Sequence, residues 1–368
     1  MKIAGICFTQ SGERLAEQIR SYFEKTEDPG DLEMSWYVKS KFADADRDNG
    51  ILPLAAPVKT WAEEQFREAD VIIFIGATGI AVRIIAPFVR DKRTDPAVIC
   101  LDEKGKFCIS LLSGHIGGAN RLVSGMSGYL GSTPVITTAT DINQKFAVDV
   151  YAKENGISIS NMTYAKEVSA ALLSGEPVGF YTSFPVEGRL PEGIYWSDKL
   201  MQAREDHGEE IENGISLGIY ISPSYARAYF DHTLWLIPKC LVLGIGCKKG
   251  TPAEQIERFV EQTLKSYSLY QEAVSMAASI DVKKDEPGIL SYCRTHGLPF
   301  RTYSAEELKA VPGKFSHSDF VEQKVGVDNV CERSAIRAGG RHLLISKTSR
   351  NGITLAVAMT NYKVYFED

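Results

Sequence analysis

The stretch that most constrains this chain is VIIFIG, residues 71–76. A strand apolar on both faces belongs in a parallel sheet covered by helices on each side. Its surroundings repeat that theme. IAGICFT, residues 3–9, reads as a strand. RLAEQIRSYFEK then places Leu15, Ile19, Tyr22 and Phe23 on one helical face. Residues 27–50 are polar, contain Pro29 and Gly30, and read as a loop holding at most one strand. A short helix near 61–69 leads into VIIFIG. AVICLD and FCISLL are further strands, parted by the turn signal EKGK. GGANRLVSGMSGYLG reads as a helix and PVITT as a buried strand. Alternating strands and helices predict an α/β domain.

Residues 141–238 are less regular. FAVDVYAKEN and AKEVSAALLSG read as helices, and VGFYT, SLGIYIS and LWLIP as strands. GRLPEGIYWSDK and EDHGEEIENG read as loops. The rhythm restarts after Pro238. LVLGIG is a strand, TPAEQIERFVEQTLKSY an amphipathic helix and PGILSYCRTHG a second helix. Ser304 and Glu307 have capping-box spacing and start a third. HLLISK and ITLAVAM close the set as strands. The expected fold class is α/β. Three-layer α/β/α domains at residues 1–140 and 239–368 are joined by a smaller α/β middle module at 141–238.

Composition excludes several functions. The formal net charge is -6, which argues against a nucleic-acid binder. No apolar stretch approaches the roughly 20 residues that cross a bilayer. The first residues lack a signal peptide's apolar region, so a cytoplasmic protein is expected. Seven Cys include no C-x-x-C, and six His include no H-x-x-x-H. Neither a dithiol nor a protein-held metal is expected. No G-x-S-x-G elbow occurs.

Four loops of the first domain have the look of sites. IGATGIAVR has Gly76 and Gly79 flanking Thr78 between a buried strand and a helix. Such a turn offers close backbone approach and free N–H groups to an anion. APFVRDKRTDPAV carries Arg90, Lys92 and Arg93 with Asp91, and Arg83 lies just before it. These cations suit carboxylates or phosphates, or they form a self-paired solvated loop. LLSGHIGGAN sets Ser113, His115 and Asn120 among Gly114, Gly117 and Gly118. A histidine there suits proton transfer near neutral pH. VITTATD places Thr137, Thr138 and Asp141 after a strand, where ligands of open α/β sheets sit; Asp141 is equally a helix N-cap. The last domain adds Lys248 in GIGCKKGT, Lys284 in IDVKKDE and Glu332 in GVDNVCERSA. Together these loops fit a polyanionic small molecule.

The same stretches carry a family resemblance. FIGATGIAVRIIAPFVRDKRTDPAV, LDEKGKFCISLLSGHIGGAN and PVITTATD resemble the N-terminal region of CbiG, the cobalt-precorrin-5A hydrolase family of cobalamin biosynthesis. LVLGIGCKKGTPAEQIERFV, ASIDVKKDEPGI and VGVDNVCERSAIRAGG are similar to its C-terminal domain, which also occurs alone as CobE. Where that family suggests an alanine-rich helix start, this chain reads VCERSA, with Arg333 and Ser334 in place of small apolar residues. The resemblance implies opening of a ring A δ-lactone on a cobalt corrinoid and release of a two-carbon fragment as acetaldehyde. It implies no cofactor, because the corrinoid substrate brings its own cobalt.

On that reading His115 is the expected general acid/base, with Asp141 or Asp91 orienting it or serving as base. Ser113 as a covalent nucleophile is the alternative. Backbone N–H groups near Gly114, Gly117 and Gly118 are expected to stabilise an oxyanion, and Arg83, Arg90, Lys92 and Arg93 to hold carboxylates. The expected partner is the cobalt-corrinoid substrate, with no nucleic acid and no membrane; a homodimer or transient contact with corrinoid methyltransferases is also expected. Competing classes are a non-catalytic corrinoid carrier, a pathway scaffold and a nucleotide-binding enzyme.

Overall fold

The computed structural model describes residues 1–40, 50–91, 94–115, 117–139, 143, 145–197 and 215–366. The chain divides into two compact units, Met1–Val150 and Tyr151–Asp368.

The first unit opens with β1 (Lys2–Cys7), α1 (Gln10–Thr26), β2 (Glu33–Val38) and β3 (Ile51–Pro53). It continues with α2 (Val58–Glu68), β4 (Val71–Ile75), α3 (Thr78–Ile85) and β5 (Ala97–Leu101). It closes with β6 (Phe107–Leu112), α4 (Ala119–Leu130) and β7 (Thr133–Val135). These strands form one sheet in the order β3-β2-β1-β4-β5-β6-β7. Each face has its own core. Leu15, Ile19 and Phe23 of α1 join Val123 and Met126 of α4 on one face. Trp61 of α2 and Ala81 and Ile85 of α3 cover the other. That is the expected three-layer α/β/α arrangement.

β2 is the strand inside the polar 27–50 stretch. It forms because Trp36 and Val38 point into one core while Tyr37 packs against the other.

One pairing decides where the loops fall. Every neighbour in this sheet is parallel except β5–β6. The turn between them is a tight one: Asp102 accepts from the N–H of Lys104 at 3.0 Å and of Phe107 at 2.7 Å. A turn this short reverses the chain, because a parallel return needs a crossover of roughly a dozen residues. Cys108 therefore pairs with Leu101, and Leu112 with Val98. β7 runs parallel to β6. The carboxyl ends of β6 and β7 thus lie at the edge where β4 and β5 begin.

α5 (Val148–Glu154) crosses the division between the units. The second unit then has β8 (Ser158–Ile159), α6 (Met162–Ser174), β9 (Val178–Thr182), β10 (Val186–Glu187) and β11 (Ile194–Trp196). β12 (Leu217–Ile221) and β13 (His232–Ile237) complete a five-stranded sheet, β11-β9-β12-β13-β8. β11 corrects the loop expected at GRLPEGIYWSDK. Ile194 is buried and the Trp196 ring meets Phe180 edge-on at 5.0 Å, which secures an edge strand.

The last part holds β14 (Leu241–Cys247), α7 (Ala253–Ser266), β15 (Val274–Ile280), α8 (Pro287–Thr295) and β16 (Phe300–Tyr303). α9 (Ala305–Lys309), α10 (Asp319–Val325) and α11 (Cys331–Arg337) follow. β17 (Gly340–Arg350) and β18 (Ile353–Thr360) form an antiparallel pair. The sheet order is β16-β15-β14-β18-β17. Ala335 and Ala338, on and just after α11, pack on Val242, Ala278 and Ala358 of this sheet. β19 (Val364–Tyr365) pairs in parallel with β10 as a separate two-stranded sheet.

Candidate functional site

The first unit sorts its predicted loops to two opposite edges of the sheet. At the carboxyl ends of β1 and β4, where the strand order reverses, lies the Gly76–Thr78–Gly79 turn. Gly76 donates its N–H to Leu101 O at 2.8 Å, and Thr78 Oγ1 lies 3.7 Å from Cys100 Sγ. Arg83 folds back onto this turn and donates to Gly79 O at 3.1 Å. That bond engages one of its N–H donors within α3. Lys92, Arg93 and Asp141 lie outside the described residues.

The other edge collects the remaining candidates. Ser113, Gly114 and His115 follow β6, Thr137 and Thr138 follow β7, and the Arg90–Asp95 turn precedes β5. Asp95 Oδ2 accepts the Arg90 N–H at 2.8 Å. Asp91 closes the same turn by accepting from Thr94 and Asp95 N–H. Ser113 is buried and donates its hydroxyl to Asp95 O at 3.0 Å. That bond ties the β6 end to the turn and commits the hydroxyl proton, which counts against the nucleophile alternative. Ser113 also has φ 55°, a left-handed conformation costing a non-glycine residue about 1 kcal/mol.

The glycines here are steric requirements. A Cβ on Gly117 would lie 2.4 Å from both Ser113 Cβ and Ser113 O. Gly118 caps α4 at φ 85° and gives its N–H to His115 O at 2.9 Å. That N–H is thus engaged within the loop rather than open to an oxyanion. Asn120, buried on the first turn of α4, donates its amide to Thr138 Oγ1 at 3.0 Å and its backbone N–H to Gly114 O at 3.0 Å. The β6 and β7 ends are held to each other through it. Thr137 is exposed beside this pair.

His115 is the titratable centre of this edge. Its side chain is 19% exposed, and Nδ1 lies 3.9 Å from Asp149 Oδ2, itself 13% exposed. The separation exceeds a hydrogen bond, yet a protonated imidazole there faces a carboxylate at short range. Asp149 sits in the first turn of α5, inside the run Phe146-Ala-Val-Asp-Val. Sequence reading missed it. The available signal was a lone carboxylate between apolar neighbours, ambiguous with a solvated helix start.

The second unit holds the other three candidates. Lys248 and Lys284 are exposed at the ends of β14 and β15. Between them Lys283 Nζ meets Glu286 Oε2 at 2.7 Å, and Glu286 Oε1 accepts Gly250 N–H at 2.6 Å. Burial pushes the Glu286 carboxyl upward, but Lys283 and the Gly250 N–H outweigh it and hold it below the ordinary range. Glu332 is 1% exposed and takes four donors: Ser316 N–H at 2.7 Å, Ser316 Oγ at 2.8 Å, Asn329 Nδ2 at 2.8 Å and Lys347 N–H at 2.7 Å. Such a carboxylate pins three chain segments, with both oxygens accepting from protein donors. The neighbouring departures have partners too. Arg333 forks onto Asp328 at 2.8 and 3.2 Å, and Ser334 Oγ donates toward Cys331 O and Ala278 O.

Six of the seven cysteines are buried and Cys247 is half-buried. Burial pushes the thiols of Cys7, Cys108 and Cys240 up to about 12, away from nucleophilic use. Among the described residues one group of side chains has metal-capable spacing: His317, Asp319 and Glu322, all exposed. No helix among the described residues is long and apolar enough to cross a membrane.

Comparison with known proteins bears on this arrangement. Three family models match: cobalamin synthesis G N-terminal at residues 60–141, cobalamin biosynthesis central region at 146–238, and cobalamin synthesis G C-terminus at 241–358. A cobalt-precorrin-5A hydrolase of Salmonella typhimurium is 33% identical, covering 98% of each chain. One of Priestia megaterium is 30% identical over 98% of this chain and 95% of that protein. The solved structure of CobE, a protein from the cobalamin (vitamin B12) biosynthetic pathway, is 30% identical over 33% of this chain and 92% of its own, with a TM-score of 0.32. Three family regions in order, with full-length relatives at this identity, establish that the chain belongs to the CbiG family, an enzyme family of cobalamin biosynthesis.

Proposed function

We propose that this chain is a cobalt-precorrin-5A hydrolase, opening the ring A δ-lactone of the cobalt corrinoid and releasing the two-carbon fragment as acetaldehyde. The observation that carries the reading is full-length similarity to two relatives bearing that name. The corrinoid brings its own cobalt, so the metal is part of the substrate. The protein is read as cytoplasmic.

In lactone opening a water oxygen bonds to the acyl carbon and the acyl–oxygen bond breaks. The water loses one proton, and the departing ring oxygen gains one. His115 is assigned both transfers. Asp149, 3.9 Å away, steadies the imidazolium formed between them. Ser113 and Asn120 hold the loop that presents His115, and exposed Arg90 takes a substrate carboxylate.

The test is His115→Ala with purified cobalt-precorrin-5A, scored by acetaldehyde release. A drop of about 10²-fold or more is expected for loss of a general acid/base. Release near the wild-type rate would sink the His115 assignment. Tight corrinoid binding by the wild type with no acetaldehyde would instead make the protein a carrier.

A further inference from the structure

We infer that the second unit carries a separate pocket for a carboxylate group, set between α7 and the turn joining β17 to β18. The cavity measures about 100 Å3 and is bounded by Gln255, Arg258, Phe259 and Gln262 on the helix and by Arg350 and Asn351 at the turn. Nothing in the lactone chemistry assigned to His115 uses these residues, and the inference does not rest on the hydrolase reading.

Two guanidinium groups face one small space. Arg350 is oriented by donating Nη1 to Gln262 Oε1 at 2.7 Å, which leaves its other N–H donors available. The Arg258 guanidinium has no hydrogen bond or ion pair among the described residues. At about 100° per residue, Gln255, Phe259 and Gln262 fall on one side of Arg258, while Glu254, Glu257 and Glu261 fall on the other. Glu254 and Glu261 lie one turn from Arg258 but do not line the cavity, and Glu257 is engaged by His296 at 3.0 Å.

The turn is tied to the segment that follows β14. Gly352 has φ 79°, and its missing Cβ leaves room for the stem of Lys248, whose Cδ, Cε and Cγ would lie 2.7–3.0 Å from it. Lys248 N–H donates to Gly352 O at 3.1 Å, fixing that lysine beside Asn351. Phe259 gives the cavity an apolar wall, and Gln255 adds an amide donor. Planar fork donors, an amide and one apolar wall are the complement of a carboxylate on a carbon chain. The volume admits one such group, so the ligand is a larger carboxylated molecule anchored by one arm.

The experiment is calorimetric titration of the full chain with tricarballylate in low-salt, phosphate-free buffer, with inorganic phosphate in a parallel arm. Wild type should bind tricarballylate. Arg258→Ala and Arg350→Ala should each weaken binding about tenfold, and Arg258→Lys should restore only part, because an ammonium lacks the fork. Arg294→Ala, a cation elsewhere on the surface, should leave the affinity unchanged. The inference is overturned if tricarballylate fails to bind, if Arg258→Ala and Arg350→Ala bind as wild type does, or if Arg294→Ala weakens binding equally. Phosphate binding without tricarballylate binding would also overturn the carboxylate assignment. Acetaldehyde release by Arg258→Ala, assayed separately, keeps this result distinct from a failure of the hydrolase reading.

Discussion

Glu332→Gln asks whether this carboxylate pins the fold or holds a ligand. The glutamine keeps the shape but replaces one carboxylate oxygen with an NH2 group. If the amide oxygen takes the Oε1 place, Ser316 Oγ and Lys347 N–H keep their acceptor. The NH2 then faces Ser316 N–H and Asn329 Nδ2, both donors at 2.7–2.8 Å. Flipping the amide costs less, because Ser316 Oγ can turn to accept from the NH2 and Lys347 N–H alone loses its acceptor. Asn329 cannot turn to help without losing its bond from Glu332 N–H to Oδ1 at 2.9 Å. The charge-assisted bond from Lys347 N–H is lost, at about 1.5–3 kcal/mol, and the remaining bonds become neutral. With the weakening of those bonds the expected cost is about 2–4 kcal/mol. For a unit of this size that is a fall in Tm of roughly 10 °C. Thermal unfolding of the full chain by circular dichroism reads it. A Tm within about 1 °C of wild type would refute the reasoning. Corrinoid affinity reduced at unchanged Tm would make Glu332 a ligand after all.

Further outcomes follow from the same geometry. Asp149→Asn should lower the acetaldehyde-forming kcat by about 10–10²-fold while leaving corrinoid Kd close to wild type, because it removes the charge facing His115 and not a substrate contact; an unchanged kcat would remove Asp149 from the mechanism. Gly117→Ala should cost about 1–3 kcal/mol, seen as a lower Tm and reduced activity, because the new methyl meets Ser113 at 2.4 Å. Full stability in that variant would mean the loop has another packing open to it. Glu286→Gln breaks a buried pair and should lower stability by about 3 kcal/mol at pH 7. The Glu286 carboxyl is held low, so its stabilisation is present above the unfolded carboxyl pKa and is lost as pH falls through the folded value. The Tm gap between wild type and variant should therefore narrow in acid, and a gap that widens there would contradict the sign.

Much of the architecture was legible because period and polarity agree. Leu15, Ile19 and Phe23 lie on one face of a helix and are all buried in one core. The Ser304–Glu307 box forms as its spacing predicts, with both bonds made. β15 shows where the signal fails. VSMAASI has one β-branched residue at each end and small or flexible residues between, so propensity does not mark it as a strand. It is nonetheless a central strand, because Ala277 and Ala278 leave room for neighbouring elements to close over the sheet. The small residues that hide the strand from propensity are the ones its packing requires.

The candidate site was legible as residues and illegible as a place. His115, Ser113, Asn120 and the glycines were recognisable by type, but the edge each loop reaches depends on the direction of the strand before it. EKGK fixes one such direction. A five-residue connection from Asp102 to Lys106 cannot hold a parallel crossover, so FCISLL had to run backwards. Once β6 reverses, α4 returns the chain so that β7 reverses with it. The His115 loop and the Thr137–Thr138 segment are then carried to the edge where the Arg90–Asp95 turn lies, while Gly76 and Thr78 stay at the other. Asp149 was beyond reach for a different reason. Its meaning depends on a contact across 34 residues, and a single carboxylate in a helix's first turn is equally well explained by the helix dipole. Strand direction follows from local turn chemistry, whereas pairing of an acid with a distant base follows only from the closed sheet.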